Sequence, residues 1–320
     1  MVIFFRIVLT KEEEMLFIKK LILITVCMIL SGCTYIENTV YKTEIAFERF
    51  RSGLKLKTTT IEDHDISYLK GGEGETVLLV HGFTADKYTW IKFADLIVDQ
   101  YQVIAVDLPG HGESTYCKKC NYSIQSQTQY LKQIVDKLSI NQMHLVGTSM
   151  GGSIAISFSQ KFQDHVKSLA LFNSAGVNSP KPSEFNKLLE TGINLFNVNN
   201  PQDFDKLMQL SMNSPPFLPW PIRSVTARNY IQRNSINQKI FNDIVGSLWG
   251  SESILHEIQV PVLILWGKED KLIDLSCVTI FEKHIPNSTS IILEETGHCP
   301  MIEKPYETAA HYLNFLKTTH

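Results

Sequence analysis

The sequence predicts an α/β fold: a mainly parallel sheet with helices on both faces and one helical insertion. Three observations carry this prediction. Short apolar runs alternate with helix-spaced segments from Thr58 to about Asn178, and again from Val260 to Leu316. The runs in the middle of each block are continuously apolar, as in strands buried on both faces, and the connections between them are long enough for crossover helices. Between the two blocks, residues 179–254 show helical spacing, many aromatics and the Pro-rich stretch Pro215-Pro216-Phe217-Leu218-Pro219-Trp220-Pro221, but no buried strand.

The 320 residues allow one large domain or two ordinary ones, and 44% hydrophobic with 20% charged residues suits a globular chain with a real core. A net charge of −3 provides no basic field, which excludes a sequence-independent nucleic-acid binder.

Taken in order, residues 1–32 have the layout of a secretory signal peptide. Lys19-Lys20 form a positive region and Leu21 to Leu30 an apolar run too short for an ordinary span, with Met15 as the start that gives a normal layout. Leu30-Ser31-Gly32-Cys33 resembles a bacterial lipobox, which implies cleavage before Cys33 and its lipidation. That would make a membrane-anchored lipoprotein on the periplasmic side of a bacterial envelope. Residues 33–57 mix Tyr35, Ile36, Val40, Ile45, Phe47 and Phe50 with charges, and fit either an amphipathic tether on a membrane surface or a helix packed on the domain.

The core is expected over residues 58–178 and 255–320. Strands are expected at Asp65–Leu69, Val77–Val80, Val103–Val106, Met143–Val146, Val166–Phe172, Val260–Trp266 and Ser290–Leu293. Helices are expected at Tyr88–Val98, Ser123–Leu138 with Ser123 as N-cap, Met150–Phe162, Val278–Lys283 and Tyr306–Leu316. Residues 179–254 form a helical lid.

Within this frame, Gly147-Thr148-Ser149-Met150-Gly151 joins a strand to a helix and fits the G-x-S-x-G nucleophile elbow, whose glycines permit a tight turn. Five residues with three fixed arise easily by chance, so partners decide. A serine hydroxyl needs a base, and the base an orienting carboxylate. His298 lies in a Gly-preceded loop directly after the last strand, and Asp270 closes the turn after the strand ending at Trp266. Glu269 and Asp274 are neighbouring alternatives to Asp270. The other histidines, His64, His144, His165 and His284 among them, have surface or structural roles. For the oxyanion, the backbone N–H of Met150 is one donor and that of Phe83, in His81-Gly82-Phe83, the other. The loop Asp107–Ser114 supports the site.

These motifs, in this order, resemble the α/β-hydrolase superfamily across about Thr58 to Leu316. Within it, His144–Gly152, the Ile254–Val260 approach and Asp274-Leu275-Ser276 are similar to membrane-anchored monoacylglycerol lipases and related bacterial lipases. The resemblance implies a serine carboxylester hydrolase acting on lipid esters through Ser149, His298 and Asp270, without metal or organic cofactor. Cys299 sits at a position that varies in the family, and the lipobox-like N-terminus replaces a membrane-spanning anchor; neither touches the triad. Two rivals keep the fold: a carbon–carbon bond hydrolase of ring-cleavage diketones, and a non-catalytic binding protein.

An apolar lid suits an acyl-chain pocket; most of its apolar side chains are expected to pack on the core, and Phe217, Leu218 and Trp220, the candidate substrate-binding residues, to be partly exposed because prolines keep them out of a regular helix. Cys117-Lys118-Lys119-Cys120 falls short of the four ligands zinc takes, and in an exported protein it fits a small structural disulfide. Cys277 and Cys299 are expected as free buried thiols.

Overall fold

A computed structural model describes residues 34–319, together with Lys19. The signal segment and Cys33 lie outside the described residues. No helix among the described residues is long and apolar enough to cross a membrane.

Eight strands form one sheet: β1 (Lys55–Ile61), β2 (His64–Gly71), β3 (Thr76–Val80), β4 (Gln102–Val106), β5 (Met143–Thr148), β6 (Val166–Phe172), β7 (Val262–Gly267) and β8 (Ser288–Leu293). Their order is β1-β2-β4-β3-β5-β6-β7-β8. The β1–β2 and β2–β4 pairs are antiparallel and all the others parallel.

Every expected strand is present, and β1 is an addition. It begins inside the segment assigned to the tether, and its sequence, Lys-Leu-Lys-Thr-Thr-Thr-Ile, is exposed along most of its length. The physical reason is its place at the sheet edge, where lysines and threonines face water and block further pairing, so no buried apolar run marks it.

The continuous apolar strands divide residue by residue between two cores. Leu78, Val80, Ile104, Val106, Leu145 and Leu171 face one side, where α3 (Ile124–Lys137), α4 (Met150–Lys161) and α9 (Cys277–His284) cover them with Leu131, Ile154, Phe158 and Phe281. Their neighbours Val77, Leu79, Val103, Ala105, Val146 and Phe172 face the other side, under Trp90, Phe93 of α2 (Ile91–Asp95), and Tyr312 and Leu316 of α11 (Pro305–Lys317). Because side chains alternate across a strand, a run apolar at every position needs a helical layer on each face. Ser123 caps α3, accepting from the Ser126 N–H at 3.3 Å.

Between β6 and β7 the chain forms α5 (Glu184–Glu190), α6 (Pro201–Ser211), α7 (Ile222–Gln232) and α8 (Asn234–Ile244). Phe204 and Leu207 of α6 meet Val198 and Ala227 in a small core of their own. The insertion grips the main body through Arg233, whose guanidinium donates to the carbonyls of Gly110 and Gly112.

Residues 34–51 form helix α1, which packs on the domain. One side packs on the insertion: the Glu37 carboxylate accepts from Arg228 at 2.6 Å and from the Trp220 indole at 3.1 Å. Tyr35, Ile36, Val40, Phe47 and Phe50 remain exposed, Phe50 at 83%.

Candidate active site

Ser149 sits between β5 and α4 with φ +53°, ψ −123°. A non-glycine residue there costs roughly 1–3 kcal/mol and persists only where its surroundings enforce it. Here the backbone does so. Ser149 N–H donates to Phe172 O at 3.2 Å, while its carbonyl accepts from Gly152, Ser153 and Ala175. Gly151 is required by close approach: a Cβ would lie 2.4 Å from Val80 O and 2.5 Å from His81 O.

The loop after β3 passes directly over the serine. A Cβ on Gly82 would stand 3.0 Å from the Ser149 Cβ. Buried His81 accepts from Leu108 N–H through Nε2 at 3.1 Å, which leaves Nδ1 to donate to Gly82 O at 2.7 Å. Holding that carbonyl fixes the planar Gly82–Phe83 peptide, and with it the direction of the Phe83 N–H. Burial holds the His81 imidazole below its ordinary pKa and so in the neutral form this pattern needs.

The same loop is braced from beneath. Lys87, fully buried, donates through Nζ to Asp107 at 2.6 Å and to Glu113 at 3.0 Å, and its backbone N–H reaches Asp107 at 2.7 Å. Asp107 also accepts from Glu113 N–H at 2.8 Å. The Asp107–Ser114 loop is therefore the support that its position in the sequence suggests.

Asp270 and His298, from the loops after β7 and β8, meet in a buried pair with Nδ1 and Oδ2 2.8 Å apart. Asp270 is fully engaged. Its Oδ1 accepts from Leu272 N–H at 2.8 Å and Ile273 N–H at 3.1 Å, and its Oδ2 also accepts from Asn173 Nδ2 at 2.7 Å. The two alternative acids serve other bonds: Glu269 accepts from Thr296 N–H and Asp274 from Ser276 N–H. The loops bearing Ser149, Asp270 and His298 all leave the same, C-terminal edge of the parallel strands β5, β7 and β8.

The model of the alpha/beta hydrolase fold matches residues 75–305. The chain belongs to this family. It is 33% identical over 296 residues to Lipase 1 of Psychrobacter immobilis, covering 89% of this chain and 92% of that one. Monoacylglycerol lipase ABHD6 of Rattus norvegicus is 30% identical, with 84% of each chain covered. Among solved structures, a bacterial membrane phospholipase A superposes with a TM-score of 0.89 at 33% identity, covering 93% of this chain and 97% of that one. The resemblance drawn from the motifs therefore holds, and the protein is an α/β-hydrolase and a hydrolytic enzyme.

Two residues of this α/β-hydrolase escaped the sequence reading. Asn173, just past β6 with φ +44°, donates to Asp270 and to Gly297 O and accepts from Gly267 N–H, so it ties the acid loop to the histidine loop. Its only signal was a polar residue directly after an apolar strand. Glu303, the last residue of α10 (Pro300–Glu303), gathers the backbone N–H groups of Asn213, Ser214, Gly297 and Cys299 at 2.8–3.2 Å, fastening the histidine loop to the end of α6. Nothing local marks it.

Two of the three candidate substrate residues are exposed, as their prolines suggest. Phe217 and Trp220 stand on the outer surface, 89% and 65% exposed, and Leu218 packs against the small core of the insertion. The insertion's rings that meet Phe83 are Phe196 at 5.0 Å and Phe241 at 5.8 Å, with Phe185 behind Phe196 at 5.1 Å. The prolines did free the 215–221 stretch from regular helix, but it is turned towards the N-terminal helix.

Cys117 and Cys120 are joined in a disulfide. Cys277 and Cys299 are free thiols, the first buried and the second half-buried. Burial pushes the Cys277 thiol up to about 11, which keeps it protonated and inert.

Asp86 caps the turn after the His81–Phe83 loop, accepting from Tyr88 N–H at 2.8 Å. Burial, reinforced by the Asp107 charge, pushes its pKa up to about 6 from an ordinary 3.8. The unfolded chain then ionises first. This group's contribution to stability is full below 3.8 and is lost as pH rises towards 6. Asp86→Asn keeps the acceptor for Tyr88, so it is expected to be better tolerated at neutral pH than in acid. Denaturant melts at both pH values check this; an equal effect at the two would refute it.

Proposed function

We propose that the protein is a serine carboxylester hydrolase of lipid esters, favouring monoacylglycerols, with Ser149 as nucleophile, His298 as base and Asp270 as its orienting acid. The observation that carries this reading is the buried 2.8 Å His298–Asp270 pair on the same sheet edge as a serine held at φ +53°. With Nδ1 bound to Asp270, Nε2 is left to take the Ser149 proton.

Ser149 Oγ attacks the ester carbonyl while the N–H groups of Met150 and Phe83 receive the developing oxyanion. The tetrahedral intermediate collapses, His298 passes its proton to the leaving alcohol, and an acyl-enzyme remains. Water, activated by the same imidazole, releases the fatty acid and restores Ser149. The Phe83, Phe196 and Phe241 cluster suits an acyl chain beside the oxyanion donors.

Membrane attachment through lipidated Cys33 belongs to the same proposal. The exposed apolar side chains of residues 35–50 begin two residues beyond Cys33, and Phe217 and Trp220 lie on the insertion to which that helix is bound. An apolar face of this kind suits a bilayer surface.

Hydrolysis of glycerol monoesters of graded acyl length, with a ring-cleavage diketone as comparison, tests the substrate class. Turnover of the glycerol esters is expected, rising from short to medium or long chains. Turnover of the diketone alone would replace this reading with the carbon–carbon one. Cys33→Ala is expected to abolish the mass of the lipid and release the protein from membranes; unchanged mass and membrane association would refute lipidation.

A further inference from the structure

Far from the ester chemistry in its bonding, the disulfide loop has a buried histidine against it. His64, the first residue of β2, is only 3% exposed, yet neither ring nitrogen has a hydrogen-bond partner among the described residues. A buried imidazole with both nitrogens unmet is costly and calls for a ligand that the protein alone does not supply. A ring nitrogen of His64 and the sulfurs of Cys117 and Cys120 all lie within 4.8 Å of one another. The Tyr130 ring packs against the imidazole at 5.1 Å, and the β1–β2 ladder holds its backbone opposite Ile61.

We propose that His64, Cys117 and Cys120 form a thiol-gated cation site, which takes one zinc-class divalent ion when the disulfide is reduced. Two thiolates at C-x-x-C spacing and one imidazole are a donor set for a borderline-soft ion, with the fourth tetrahedral position left to water. In the oxidised state the sulfurs are spent on each other and the site is closed.

The turn does not depend on the sulfur–sulfur bond. Cys120 N–H donates to Cys117 O at 3.1 Å. The Tyr122 hydroxyl accepts from Cys117 N–H at 2.8 Å and donates to Cys117 O at 3.1 Å, and Lys239 donates to Cys120 O at 3.2 Å. These bonds involve only backbone at the cysteines, so they keep the two side chains together after reduction. A disulfide closing so short a loop also restrains the unfolded chain least.

The chemistry balances with a dithiol as reductant. One of its thiolates attacks a sulfur of the disulfide, its second thiol releases the mixed disulfide, and the reductant leaves oxidised while Cys117 and Cys120 each gain one electron and one proton. Binding of the divalent ion then expels both thiol protons and leaves a neutral complex with neutral His64.

The test uses the purified full-length protein, reduced with a phosphine and freed of it without air. Cobalt(II) alone serves as the first probe, because thiolate ligation gives a charge-transfer band that carboxylate or imidazole sites lack; zinc(II) then competes. The reduced wild type is expected to bind one cobalt with that band, and the oxidised protein none. His64→Phe keeps the ring volume and should weaken binding by more than the ~10–100-fold that loss of an outer-shell partner costs. Cys117→Ser with Cys120→Ser should remove the band, which also accounts for the other thiols. Retained ester hydrolysis shows that each variant has folded, and it reads the proposed catalytic function separately. The proposal is overturned if the reduced wild type shows no band, if His64→Phe binds as well as wild type, or if the folded protein's disulfide resists the phosphine.

Discussion

Ser149→Ala is expected to lower kcat for ester hydrolysis on the order of 10⁶-fold, the loss seen when a serine nucleophile is removed from a working triad. The structure makes this a clean experiment. Ser149 contributes to the fold through its backbone: its N–H bonds Phe172 O, and its carbonyl accepts from Gly152, Ser153 and Ala175. Alanine can make each of those bonds at the same φ, with no greater strain than serine. The variant should therefore melt with the wild type while losing both turnover and labelling by a fluorophosphonate. Retained turnover would remove Ser149 from the mechanism. Absence of labelling in the wild type itself would favour a binding protein that has kept the fold without the chemistry.

Asp270→Asn should cost about 10⁴-fold in kcat, with substrate binding little changed. The backbone N–H groups of Leu272 and Ile273 hold one oxygen of the acid, so an asparagine there keeps its carbonyl towards them and turns its amide towards His298. An amide in that direction donates to Nδ1, which moves the imidazole proton to Nε2 and leaves no lone pair for the serine. It would also face the Asn173 amide, another donor. Glu269→Gln and Asp274→Asn, whose carboxylates cap other backbone groups, should stay within about tenfold of the wild type, the range of lesser positioning effects. A large loss in either, with Asp270→Asn active, would reassign the acid.

These two residues stand out as candidates because local signals coincide at both. Ser149 lies in a glycine-flanked turn between an apolar strand and a helix, and Asp270 closes the loop of the next strand but one. Each is a place where the chain must leave the sheet at its C-terminal edge. Asn173 occupies the same kind of position on the intervening strand, yet one polar residue after β6 has no local meaning. It acquires one only when β6 lies between β5 and β7 and its amide spans two loops. Glu303 is further from reach, since its carboxylate serves four N–H groups drawn from the insertion and the histidine loop.

The insertion shows the same limit from the other side. Its helical character follows from spacing, and its wealth of aromatics from composition. Which rings lie beside Phe83 does not. Phe217, Leu218 and Trp220 stood out through their prolines, whereas Phe196 and Phe241 meet Phe83 from an irregular loop and from α8. A residue's direction within a helical layer depends on how that layer is seated, here by Arg233 on the Gly110 and Gly112 carbonyls.

By itself, the sequence determined the α/β class, the positions of the main strands along the chain and the serine turn. Each depends on near-neighbour physics: apolar periodicity, helix capping and the conformational freedom of glycine. The tertiary structure alone decided the edge strand β1, the clamp of Asn173 on two loops, the rings beside Phe83 and the approach of His64 to Cys117 and Cys120. Those depend on groups far apart along the chain that only packing brings within a few ångströms, and a polar or exposed residue carries no local trace of the partner it will find.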